Sequence, residues 1–190
     1  MARNKKIQKN ESVKKNPLKS LMMWVFEIAI VILFAFALVF FFGQSRTNIG
    51  QSMSVTLRGG DQVLLNELVY KFTSPSRNDI VAFKPNGNME SATSIKRVIG
   101  LPGEKIQIKE GMIYINDTIY LEELDFPVMK EAGVAKEPLV LKANQYFVLG
   151  DNRNDSEDSR FADVGIVEKD AIEGKVWFVI SPKENFGIVK

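Results

Sequence analysis

The chain has no cysteine and no histidine. The first absence rules out any disulfide within the chain and any Cys-His nucleophile pair. The second rules out a Ser-His-Asp triad, and the two together remove the His and Cys ligands of the usual zinc sites. Hydrolytic chemistry in this protein must therefore use hydroxyls, carboxylates or a lysine. Lack of cysteine does not locate the protein, although it is compatible with an oxidising exterior. What is present is an ordinary protein composition: 190 residues, 45% hydrophobic and 25% charged, which is neither a disordered tail nor a collagen-like fibre.

Charge is spread unevenly. Residues 1–42 carry seven of the 25 bases (Arg3, Lys5, Lys6, Lys9, Lys14, Lys15 and Lys19) and two of the 23 acids (Glu11 and Glu27). The other 148 residues keep 18 bases and 21 acids, so a basic head is joined to a mildly acidic body. With no basic stripe on that body, nucleic acid is not an expected partner.

Leu21 to Phe42 reads LMMWVFEIAIVILFAFALVFFF, with Glu27 its only charge. At about 1.5 Å per residue these 22 residues make a helix of roughly 33 Å, enough to cross a hydrocarbon core of about 30 Å. A cleavable secretory signal would have a shorter apolar region, about 7–15 residues, ending in a small-x-small site. This run is longer and ends in FFGQSRTN, so it reads as a retained anchor in contact with membrane lipid. Glu27 would cost roughly 2.5–3.5 kcal/mol at the bilayer centre. Its place in the second turn of the run, beside the lysines, reads instead as interfacial or protonated, with a partner helix as the alternative. By the positive-inside rule the head, residues 1–20, is cytoplasmic and residues 43–190 lie across the cell membrane.

The outer 148 residues suffice for one domain with its own core. Short β-type runs recur between turn signals at 62–66, 79–83, 94–99, 105–109, 112–115, 145–149 and 171–180, and IQIK-EG-MIYI has the form of a two-residue hairpin. After Phe42 no stretch keeps a helical apolar period over three turns, so the domain is expected to be mainly β. Residues 117–144 are the least regular and are expected to form a peripheral excursion.

Ser52 is a possible nucleophile, sitting in NIGQSM where Gly50 permits a sharp backbone approach. An ordinary loop serine has the same appearance. Without histidine, its compact base is a neutral lysine. Only about one lysine in 2,500 is neutral at pH 7, and lowering its pKa by roughly three units takes about 4 kcal/mol, which burial can supply. Lys96, in IKRVIGLPG, is the lysine set in an apolar strand. Alternation places it on the face of Val98, with Ile95, Arg97 and Ile99 opposite. Either one of the two adjacent cations faces an apolar environment, or the strand is an edge with Lys96 as a solvated gatekeeper. The third element is GDNRNDSEDSR, residues 150–160. Read as a calcium loop from Asp151, it has Arg153 third, Ser156 sixth and Ala162 twelfth, and fails at all three positions. It remains a candidate hydrogen-bonded scaffold.

Taken together, GQSMSVTL, KRVIGLPGE and GDNRNDSEDSR, in this order behind one anchor, resemble type I signal peptidases, in their Gram-positive-like form. These are membrane-bound Ser-Lys endopeptidases that remove signal peptides from exported preproteins. The resemblance implies a signal-peptidase-like β catalytic domain behind a single transmembrane helix. Ser52 would be the nucleophile and its N–H an oxyanion donor. Lys96 would be the general base, and Ser156 would orient its amine. Asp158 and Arg160 would form a supporting ion pair, Asp151 would hold the loop, and Met53 would line the floor near the pocket. The implied partners are signal peptides with small residues at positions −1 and −3, and no metal or cofactor is implied. Two positions depart from the family pattern. Val55 stands where proline is usual, and Gly50 offers no side-chain donor as a second oxyanion contact. Two other classes share some of these features. A self-cleaving SOS repressor would need a DNA-binding segment in place of the anchor. A membrane-tethered β-domain that binds a partner would need neither Ser52 nor Lys96.

Overall fold

The structure, a computed structural model, describes residues 17–42 and 44–189. Most of the basic head, residues 1–16, therefore lies outside the described residues.

The apolar run is helix α1, Pro17–Phe42, 26 residues long. A proline suits its first position, because the first N–H groups of a helix have no intrahelical acceptor and the ring presets φ. Side chains from Pro17 to Phe36 are exposed on every face, so no face of the helix is set apart for packing. Because α1 begins four residues before the apolar run and takes in Lys19, Glu27 falls in its third turn rather than its second.

The body is described by itself. Its strands are β1 (Ser45–Thr47), β2 (Gln62–Asn66), β3 (Ile80–Phe83), β4 (Ser94–Gly100), β5 (Lys105–Lys109), β6 (Met112–Ile115), β7 (Thr118–Ile119), β8 (Leu139–Val140), β9 (Gln145–Leu149), β10 (Val167–Glu168), β11 (Ile172–Ser181) and β12 (Gly187–Ile188). One short helix, α2 (Val69–Phe72), follows β2. The larger sheet runs β1-β2-β11-β3-β4-β9-β10, with β12 also on β11, and the smaller runs β7-β6-β5-β8. Every pairing is antiparallel. This is the mainly β architecture that the sequence pattern predicts.

Side-chain alternation explains where the core sits. From β3, Ile80 and Ala82 join Met53, Leu57 and Ile95 in one apolar cluster, while Val81 and Phe83 join Val98, Tyr146 and Val148 in another. Ile99, Phe147 and Leu149 pack with Ile106 and Ile113 between the two sheets. Each such side chain, when fully buried, contributes about 1.5–3 kcal/mol. The hairpin β5–β6 turns through Glu110 and Gly111, both at positive φ as a type I′ turn requires. Between β7 and β8 the chain has no strand, only a 3-10 turn at Gly133–Lys136.

For function, the decisive feature is that β4 is central. It pairs with β3 on one side and β9 on the other, so Lys96 is not an edge gatekeeper.

Candidate active site

Ser52 lies in the loop between β1 and β2, half-buried. The loop is held at both ends. Asn48 is 2% exposed and its side-chain amide donates to the carbonyls of Leu57 and Arg58 at 3.3 and 2.9 Å. Met53 and Leu57 are completely buried, and Leu57 N donates to Met53 O at 2.6 Å. Gly50, at φ +82°, turns the chain two residues ahead of the serine, where a side chain would be strained.

Lys96 reaches this loop from β4. Its Nζ is 2.9 Å from Ser52 Oγ. The residue is 6% exposed, pairs with Val81 across the ladder and shares the face of Val98. Burial pushes its pKa below the ordinary lysine value, and the charges of Asp158 and Glu157 partly oppose that shift. Next door, Arg97 is 4% exposed, so both adjacent cations are buried. They are treated differently. Arg97 forms a two-bonded ion pair with Asp151, Nε to Oδ1 and Nη2 to Oδ2, both 2.8 Å. Among the described residues no carboxylate forms an ion pair with the Lys96 amine. An unpaired buried ammonium is costly, so the site favours the neutral amine.

Both residues line a cleft of about 400 Å³, walled by residues 49–52 and 92–96 and rimmed by Asp155, Glu157 and Asp163. Behind it runs the loop after β9. Asp158 is fully buried, accepts two 2.8 Å bonds from Arg160, and accepts the Gly150 N–H at 3.0 Å. Asn152 N donates to Ser52 O at 2.9 Å, tying this loop to the Ser52 loop.

The family model described as signal peptidase, peptidase S26, matches residues 21–181, which include Ser52, Lys96 and the whole of this scaffold. The chain belongs to the type I signal peptidase family. Among its relatives, signal peptidase IB of Staphylococcus aureus strain N315 is 33% identical over 183 residues, covering 88% of this chain and 93% of the relative. A probable signal peptidase I-2 of Synechocystis is 31% identical over 154 residues, covering 78% and 68%. A crystal structure of a signal peptidase I from Enterococcus faecalis V583 is 30% identical and covers 54% of this chain and 97% of that one, with a TM-score of 0.44.

Of the residues that the family resemblance picks out, Gly50, Ser52 and Lys96 line the cleft, and Asp151, Asp158 and Arg160 form the buried network behind it. Two sit otherwise than expected. Met53 is not in the cleft lining; it is fully buried beneath the loop, in the core cluster with Leu57. Ser156 makes no bond to Lys96, and its buried Oγ has no partner among the described residues. It packs instead against Gly150. Sequence reasoning passed over Thr56, whose hydroxyl donates to Asp151, and Glu122 and Phe126, both in contact with Arg153. Arg97 offered a signal, because a second cation beside Lys96 in an apolar strand requires a buried carboxylate. Glu122 offered none, since nothing local links it to residue 153.

Gly150 tests how tightly the two loops are joined. A Cβ there would lie 2.1 Å from Ser156 Oγ and 2.6 Å from Ser52 O. The second atom is backbone and cannot swing aside. With Ser52 read as the nucleophile, Gly150→Ala is expected to displace it and lower kcat about 100-fold, the scale for a misplaced reacting group. Steady-state cleavage assays check this.

Proposed function

We propose that this chain is a membrane-anchored Ser-Lys endopeptidase that cuts N-terminal signal peptides from exported preproteins after a small-x-small sequence. The observation that carries the reading is the buried Lys96 amine, 2.9 Å from Ser52 Oγ and without a carboxylate partner among the described residues. That distance allows direct proton transfer.

In this mechanism Ser52 Oγ attacks the scissile carbonyl carbon and its proton passes to Lys96 Nζ. The carbonyl oxygen becomes an oxyanion facing the Ser52 N–H, which donates to no other group among the described residues. One such donor contributes about 2.7–4 kcal/mol. The ammonium returns its proton to the leaving amine, and the amine again serves as base when water attacks the acyl ester. Asp151, Asp158 and Arg160 hold the loop that buttresses Ser52.

Helix α1 has the length and apolarity to cross a membrane. The lysines before it set the N-terminus in the cytoplasm and the catalytic body outside. Ser52 follows Phe42 by ten residues, at most about 35 Å of extended chain, which keeps it within reach of a signal peptide leaving the bilayer.

Ser52→Ala is expected to abolish cleavage of a fluorogenic Ala-x-Ala peptide in detergent, with the melting temperature within a few degrees of wild type. Mass spectrometry should place the cut directly after the second alanine. If the wild-type protein binds the peptide without turnover, it is a tethered binding domain instead.

A further inference from the structure

The irregular stretch between β7 and β8 is fastened to the loop behind the nucleophile. Both carboxylate oxygens of Glu122 accept from the guanidinium of Arg153, which is 1% exposed. The ring of Phe126 covers the same guanidinium at 4.2 Å and faces that of Arg97 at 5.6 Å. Further along, the Asn154 side chain donates to Val128 O at 3.0 Å and accepts from Lys130 N at 2.9 Å. Arg160 Nη1 donates to Glu131 O at 3.0 Å.

These contacts lead to the reacting serine in few steps. Arg153 Nε donates to Gly150 O at 3.1 Å. Gly150 packs on Ser52 O, and Asn152 N donates to that same oxygen. Close to Glu122 the apolar side chains contribute little packing, since Leu121 is 83% exposed and Leu124 41%; the tether before them is Tyr120, whose hydroxyl donates to Asn78 Oδ1 at 2.9 Å. Arg153 would otherwise be a buried cation without a carboxylate, so the bond serves both segments.

We propose that Glu122 and Phe126 form a clasp that positions the nucleophile loop, acting through Arg153 on the backbone of Gly150–Asn152. This rests on the reading of Ser52 as nucleophile and assigns work to the irregular stretch: it fixes the place of the serine without touching substrate.

The test is steady-state kinetics on the full-length protein in detergent with the Ala-x-Ala peptide, at a temperature where near-UV circular dichroism shows each variant folded. Glu122→Gln keeps the shape and removes the charge. Its kcat is expected to fall at least tenfold with KM within twofold of wild type. The acid limb of the pH profile should not move, because burial and the charges of Asp158 and Glu157, which set the Lys96 pKa, are kept. Glu123→Gln, a neighbouring exposed carboxylate, should match wild type. A folded Glu122→Gln variant with kcat within twofold of wild type overturns the proposal. Should that variant not fold, Phe126→Leu keeps the ion pair and must still lower kcat at least threefold at constant KM; an unchanged kcat overturns it equally. Failure of the underlying reading shows separately in the same assay, as a wild-type protein without turnover or a Ser52→Ala variant that retains it.

Discussion

Lys96→Ala is expected to lower kcat/KM by about 10²–10⁴ or more, the span of general-base catalysis, while the fold survives. Taking away the amine also removes a desolvation cost, which offsets part of the packing lost with the four-carbon stem. Lys96→Arg should be equally inactive, because a guanidinium does not deprotonate and cannot take the serine proton. The pH dependence follows from the same burial. Only the neutral amine is a base, so the rate rises with pH through the Lys96 pKa, which burial holds below the ordinary lysine value. Stability moves in the same sense. Between the folded and unfolded pKa values the unfolded chain binds the extra proton, so stability increases with pH across that window and this contribution is absent below it. A rate independent of pH from 5 to 9, or near-normal turnover by Lys96→Ala, would sink the assignment.

The second large effect belongs to Asp158. Replacing it by asparagine leaves Arg160, 2% exposed, without its carboxylate. Breaking a buried pair by losing one partner typically costs about 3–5 kcal/mol. That is a large part of the net stability of about 5–15 kcal/mol common to domains of this kind. Asp158→Asn is therefore expected to lower the urea midpoint steeply. The molecules that remain folded should show a shift of opposite character. The Asp158 charge favours the ammonium form of Lys96, so its removal makes the amine easier to deprotonate. The acid limb of kcat/KM should move to lower pH. Urea titration and a pH–rate profile on the same preparation measure both, and an acid limb displaced upward would contradict the electrostatic account.

The strands that were legible in the sequence are those with four or more apolar or alternating residues. Runs such as QVLLN, SIKRVIG and QYFVL carry their own pattern, and the structure places strands on them. Strands β1, β7, β8, β10 and β12 have two or three residues, too few for a period, and form because a neighbour offers an edge. The site divides along similar lines. The missing histidine leaves few bases, which makes Ser52 and Lys96 candidates, but only the resemblance to type I signal peptidases gives them roles. The pairing of Arg97 with Asp151 spans 54 residues, and that of Arg153 with Glu122 spans 31; such distances leave no local trace. Met53 was visible as a site neighbour, but its direction was not. A one-residue change of direction in the turn decides whether a side chain enters the cleft or the core.

The placement of Lys96 on a strand enclosed by β3 and β9 has a consequence for the newly made protein. With the body outside the membrane, as proposed, a protease that crosses as an open chain risks cutting itself or its companions on the way. Here the amine becomes buried only when both flanking strands have closed around it, and it meets the serine only when that loop has been brought up from 44 positions away. Before that moment it is an ordinary solvated cation, and the serine beside it an ordinary alcohol. On the proposed reading, completion of the sheet is what makes the dyad, and the unfinished chain has no base to activate its serine.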